Sequence, residues 1–278
     1  MIRLSKDLIA EDLISESLAL CDLLDPPYLS NSHQPRPWQG AASRRRRGQG
    51  TEFWQFRPYT PGDDAARIAW RPSARYRQPL TKEHEDAVPS SLTLWVDRRP
   101  TMKFTTTSRT KQHQADVMAL AWGWLMARQG DWLISVQGGP HRRYHDILAL
   151  ARDLETPIFF DQGPVPEADM TLLCSDFLYS TEALLTLFSG ITGDNVRLCA
   201  LYDPAEATFP YQGSIRFQDL GGGEQCLVED AEALRPLYQS RYDGHVAFLE
   251  TASHQRGWAV SRDSTANALA HGSSAKKM

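Results

Sequence analysis

Five short apolar runs, SLTLWV, WLISV, MTLLC, VRLCAL and WAVS, recur from residue 91 onward, and segments of helical periodicity separate them. Runs this short with little polar alternation read as strands buried on both faces, and intervening helices supply the crossovers that parallel strands need. The pattern predicts a doubly wound, mostly parallel α/β sheet (Rossmann-type), in which ligands approach the carboxyl ends of the strands near a topological switch point. Helices are expected from about His113 to Gln129, closed by Gly130, then over Asp146–Leu154, over TEALLTLF, and from about Ala231 to Arg256; SIRFQ reads as a further short strand.

Residues 4–24 space Leu4, Leu8, Ile9, Leu13, Leu18 and Leu20 helically among acids, which predicts an amphipathic first helix in need of a surface to cover. A linker rich in Pro, Ser, Gly and Arg follows, then the strand TEFWQFRPY and the turn TPGDD. The division expected is 1–43 for the helix and linker, 44–88 for a basic segment packed on the main domain, 89–262 for the α/β domain and 263–278 for a flexible tail. A 41% hydrophobic and 23% charged composition excludes general disorder. No window reaches 18 apolar residues and the start carries acids throughout, so the expected location is cytoplasmic. Cys21, Cys174, Cys199 and Cys226 form no CxxC pair and read as reduced, buried thiols.

Charge is unevenly spread. Arg36–Lys82 holds eleven basic against three acidic residues, a net +8, and the rest holds 19 against 31, a net −12. The run Arg44–Arg47 reads first as a segment that docks on an acidic partner or on the chain's own acidic body, with Trp54, Phe56, Tyr59 and Trp70 packed on the main domain; a nucleic-acid-binding module that uses the run and these aromatics is the alternative. His141 and His145 have i, i+4 spacing but no third ligand, and Gly221–Gly223 lack the Lys-Ser or Lys-Thr of a P-loop. Trp122 and Trp124 read as core and boundary residues. No catalytic His or nucleophile accompanies the strand-end acids, so no enzyme is expected.

Three motifs occur in one order: GQGTEFWQFRPYTPGDDAARIAWRPSAR, VDRRPTM, and LLCSDF followed by LYDPAEATFP. On these the chain resembles the bacterial domain-of-unknown-function 58 family, whose core is similar to a von Willebrand factor A domain, over roughly residues 44 to 262. The family's G-x-G-x-E-F is met by Gly48, Gly50, Glu52 and Phe53, and its R-x-Y-x-x-G-D-D by Arg57, Tyr59, Gly62, Asp63 and Asp64. Its I-D-W-R-x-S-A-R is met by Ile68, Trp70, Arg71, Ser73, Ala74 and Arg75, with Ala69 in place of the aspartate; Asp203 and Glu206 match its D-P-x-E. The resemblance implies a non-enzymatic interaction protein that works with a MoxR-type AAA+ ATPase in assembly or activation of other complexes.

It also implies a metal-ion-dependent adhesion site, D-x-S-x-S, whose carboxylate and hydroxyls hold Mg²⁺ with an acid from a neighbouring strand. Asp97, Arg98, Arg99, Pro100 and Thr101 stand at those five positions and Asp176 at the distant acid, so Arg99 replaces the first hydroxyl. A guanidinium has no lone pair for a metal. Three arrangements stay open: Arg99, or Arg98, neutralises Asp97 and Asp176; Asp97 caps its own loop; or Asp97, Thr101 and Asp176 hold a metal. For Gly62, Asp63 and Asp64 the choices are a turn with a cap on AARIAWR, a polar network with Arg57, Arg67, Arg71 and Arg75, or a partner contact. Asp203 and Glu206 suit the N-terminus of a short helix opened by Pro204.

Overall fold

In the computed structural model the elements in chain order are α1 (Arg3–Leu23), β1 (Arg44–Gly48), β2 (Glu52–Pro58), α2 (Trp70–Tyr76), β3 (Leu80–Val88), β4 (Ser90–Val96), α3 (Lys111–Ala127), β5 (Trp132–Val136), α4 (Ile147–Leu154), β6 (Met170–Ser175), α5 (Thr181–Ser189), β7 (Val196–Tyr202), α6 (Pro204–Thr208), β8 (Ile215–Gln218), β9 (Gln225–Val228), α7 (Ala231–His254) and β10 (Ala259–Ser264). The structure describes residues 3–24, 44–48, 52–60, 66, 68–88, 90–129, 132–155, 165–220, 223 and 225–266. Gly62, Asp63, Asp64 and Arg67 lie outside these residues, as does Gly130. The chain divides into two compact units, one of Met1–Trp38 with Ser91–Met278, the other of Gln39–Ser90.

The larger unit carries the five apolar runs as one parallel sheet in the order β10-β7-β6-β4-β5. Register pairs such as Leu94 with Leu172, Cys174 with Cys199 and Val260 with Leu198 put apolar side chains of neighbouring strands side by side. Counted along the sheet, the order is that of the flavodoxin-type doubly wound fold, and its reversal falls between β4 and β6. Asp97 and Asp176 each follow directly on one of those two strands.

Helices cover both faces. On one, Trp95, Leu173 and Leu198 pack with Leu184 and Phe188 of α5, Leu249 and Ala252 of α7, and Trp258. The Phe188 and Trp258 rings meet edge to face at 5.2 Å. On the other, α3 lies close to the sheet because Gly123 has no side chain: a Cβ there would stand 2.7 Å from Leu94 Cδ1 and 2.8 Å from Leu150 Cδ2. The first helix finds its surface on α3, where Ser17, Leu20 and Cys21 are buried, Cys21 Sγ donates to Ala121 O, and Glu16 meets Arg109 and His113. Cys21, Cys174 and Cys199 are free buried thiols, whereas Cys226 is exposed on the edge of a small hairpin.

In the smaller unit β3 is the central strand of an antiparallel sheet ordered β1-β3-β2. Its register sets Arg46 opposite Asp86 and Arg47 opposite Glu85.

Four expectations need correction. AARIAWR is not one continuous helix: Ala66 stands in a 3-10 turn, but Ile68 bridges Thr81 and Ala69 N donates to Leu80 O, so α2 begins only at Trp70, with Ala69 at its N-cap and no side-chain cap. Cys226, read as a buried thiol, is exposed, while HRRYH runs outside any helix with Arg142 bridged to Ile134. SIRFQ does not join the main sheet but pairs with β9, a strand that QCLV did not suggest. Finally Asp263 and Ser264 belong to β10, paired with Leu201 and Tyr202, so the ordered domain runs past residue 262. Among the described residues no helix is long and apolar enough to cross a membrane.

Candidate functional site

Where β4 ends, Asp97 N donates to Cys174 O, so the sheet ladder itself holds the aspartate at the switch point. Its next residues turn through a 3-10 segment, Pro100–Lys103. Arg99 folds back: its backbone N–H donates to Asp97 Oδ1 at 2.9 Å, its Nε to Asp97 Oδ2 at 2.9 Å, and its Nη2 to Asp176 Oδ1 at 2.6 Å. The guanidinium lies flat on Tyr179, 3.4 Å from the ring centroid, and the Tyr179 hydroxyl and Ser175 Oγ complete the donors to Asp97 Oδ2. Such a planar, stacked, two-carboxylate contact suits arginine and not lysine. Arg98 does something else, bridging to Asp116 of α3 and to Leu154 O of α4, so the alternative that gave it the neutralising role is corrected.

A second cation, Lys111, was not foreseen. It is the first residue of α3, fully buried, with Nζ 3.0 Å from Asp176 Oδ2 and 2.5 Å from Glu206 Oε1. A lysine in the first turn opposes the helix dipole. That misplacement was the available sequence signal, since a helix start has no local use for a cation.

Asp203 caps α6 and Glu206 closes the reciprocal capping box, its Oε2 accepting from Asp203 N. Asp203 also accepts from Thr106 and Thr265, tying three loops at one strand edge. The resulting chain of contacts runs Asp97–Arg99–Asp176–Lys111–Glu206–Asp203. Of the anticipated residues, Asp97, Arg99, Asp176, Asp203 and Glu206 therefore meet in one network. Arg57 donates to Pro58 O and Thr60 Oγ1, and Trp70, Arg71 and Arg75 are exposed on α2 in the other unit. The polar network expected of Arg57, Arg67, Arg71 and Arg75 with Asp63 and Asp64 lies outside the described residues, because both acids do.

Burial raises the proton affinity of Asp176, but Lys111 and Arg99 outweigh it and hold the carboxyl below the usual range. For Glu206 burial wins over Lys111, and its pKa is raised. Burial works against the Arg99 charge, yet Asp97 and Asp176 reverse this and strengthen its hold on the proton. Burial raises Asp203 too, and the bonds from Thr106, Ala205 and Thr265 bring it below the usual range.

Mg²⁺ does not fit these residues as they stand. Both carboxylates it would need are engaged by Arg99, and Thr101 Oγ1, the remaining ligand candidate, is buried without a hydrogen-bond partner. Among the described residues no group of three or more His, Cys, Asp or Glu side chains is placed to hold a metal.

Beside the network lies a cavity of about 610 Å³, within the range typical of ligand sites. Thr101 and Glu206 give it a polar corner, Arg216 and Asp219 add charge, and Phe104, Phe209, Phe217 and Tyr238 form its walls. In the β8–β9 hairpin Ile215 faces Val228 and Phe217 faces Cys226, so one face of this two-stranded flap lines the cavity.

No curated protein and no solved structure matches the chain significantly. Residues 55–141, from β2 through the Asp97 loop and α3 to the turn after β5, match the family described as "Protein of unknown function DUF58".

Proposed function

We propose that the chain is a non-enzymatic protein–protein interaction module of the cytoplasm, whose strand-end surface around Asp97, Thr101 and Asp176 receives a protein partner. One observation carries the reading: every carboxylate oxygen of Asp97, Asp176 and Glu206 accepts at least one hydrogen bond within the network. Acids so committed are poor proton carriers, because general acid–base work needs a carboxyl free to reach substrate. An aromatic-walled cavity at the same edge suits an inserted side chain, the usual anchor of a protein interface.

The family resemblance names the partner class, a MoxR-type AAA+ ATPase, and the task, assembly or activation of another complex. Nucleic acid has weaker support, since two arginines of the Arg44–Arg47 run stand in register with acids of β3. Sedimentation velocity with the purified MoxR-type ATPase of the same genome tests the reading. A complex is expected that Leu178→Asp abolishes, because Leu178 lines the cavity and is 38% exposed, so the change spares the core. Absence of a complex, or one indifferent to Leu178→Asp, contradicts it.

A further inference from the structure

The smaller unit holds a surface that the strand-end site does not explain. α2 is fastened to β3 on its inner side by Ser73, whose hydroxyl donates to Ala69 O at 2.7 Å and accepts from Leu80 N at 2.8 Å. Its outer side is aromatic and cationic: Trp70 is 70% and Tyr76 64% exposed, and Arg71, Arg75 and Arg77 are exposed with no ion pair among the described residues.

Nothing in the fold's stability calls for this arrangement. Arg71 and Arg75 lie one turn apart on one face, where like charges repel. Arg77 closes α2 at its C-cap in the left-handed conformation with which helices commonly end, φ 53°, and adds a third exposed cation. An indole left open to water forgoes the largest apolar burial a side chain offers. Each choice becomes favourable once an anionic, partly apolar surface covers the helix.

We infer that α2 is a docking site for an acidic helical segment of a partner protein, with carboxylates one turn apart for Arg71 and Arg75 and an apolar side chain to lie on Trp70. Charge complementarity chooses this occupant. Guanidinium forks bind carboxylates bidentately. A phosphate backbone would instead need a continuous cationic track, and the unit from Gln39 to Ser90 interleaves ten basic with six acidic residues, three of them (Glu83, Glu85 and Asp86) in β3 next to α2. The inference does not depend on the strand-end reading, because it uses residues of a different unit.

The test is fluorescence anisotropy of the intact chain with a labelled peptide of Glu-Ala-Ala-Leu repeats, which places glutamates at i, i+4. A Lys-Ala-Ala-Leu peptide and an oligo-dT of equal charge to the acidic peptide are run beside it. Binding of the acidic peptide is expected, weakened by salt, and weakened about tenfold by Arg71→Ala with Arg75→Ala and by Trp70→Ala. Alanine favours helix at exposed positions, so these losses do not report unfolding. Arg71→Lys is expected to fall between wild type and Arg71→Ala. The inference is overturned if the acidic peptide does not bind, if the substitutions leave its affinity unchanged, if the lysine peptide binds equally, or if oligo-dT binds more tightly.

Discussion

Replacing Lys111 by methionine keeps most of the side-chain volume and removes the charge, which isolates the electrostatic part of the network. Lys111 is fully buried between Asp176 at 3.0 Å and Glu206 at 2.5 Å. Without it Asp176 keeps Arg99 and the Leu178 N–H, but Glu206 keeps only the Asp203 N–H. Breaking one side of a buried ion pair costs about 3–5 kcal/mol, a large share of the roughly 5–15 kcal/mol that holds a domain together. Most of that loss falls on Glu206, whose folded pKa is already raised by burial and rises further once its cation is gone. A carboxyl with a folded pKa above its unfolded value binds its proton more tightly when folded. The variant therefore loses stability as pH rises from the unfolded pKa, about 4.3, through the folded one, and its deficit shrinks in acid. Urea titrations of wild type, Lys111→Met and Lys111→Met/Glu206→Gln at about pH 5 and about pH 8 measure this. The single variant should show its larger deficit at the higher pH, and the double variant should recover much of it. A deficit below about 1 kcal/mol, or one equal at both pH values, refutes the electrostatic reasoning.

Gly123→Ala should destabilise by about 1–3 kcal/mol in thermal melts, because the new methyl meets two buried leucines; an unchanged Tm would show that α3 has room to retreat. Leu20→Ala should cost about 2–4 kcal/mol if α1 is an integral layer on α3, and a neutral result would mean that α1 is dispensable. Burial pushes the Cys21 thiol up to about 11, so in a thiol-reagent time course at mildly alkaline pH the exposed Cys226 should react first and Cys21 only on unfolding; the reverse order would contradict the docking of α1. Asp176 and Asp203 have folded pKa values below their unfolded ones. Their contribution is complete above about pH 4 and is lost as pH falls further, so Asp203→Asn should flatten the acid limb of the stability curve.

The parallel sheet was legible because strands buried on both faces leave a local mark, uninterrupted apolar runs, and Asp203-Pro204-x-Glu206 announced its capping box through the spacing of three residues. The partnership of Arg99 with Asp97 was readable from two positions of separation, and with Asp176 only through the family pattern. For Lys111 only its place at a helix start was a signal; its partners were invisible because they stand 65 and 95 residues away, and no periodicity records such contacts. The same holds for Arg98: adjacent to Arg99 in sequence, it points the other way to Asp116 because the strand end alternates sides. QCLV went unread since a four-residue strand beside a glycine run carries too little pattern, and with it went the flap over the cavity.

The most direct test of the strand-end site is whether Arg99 serves as its resident cation. Titration of Mn²⁺ followed by electron paramagnetic resonance, on wild type, Asp97→Ala and Arg99→Ser, reads this without reference to any partner. With Arg99 in place the wild-type chain should leave the Mn²⁺ signal free, and Arg99→Ser, which releases both carboxylates beside the unpartnered Thr101 hydroxyl, should capture the ion. Micromolar binding of Mn²⁺ by the wild-type chain, lost in Asp97→Ala, would contradict it.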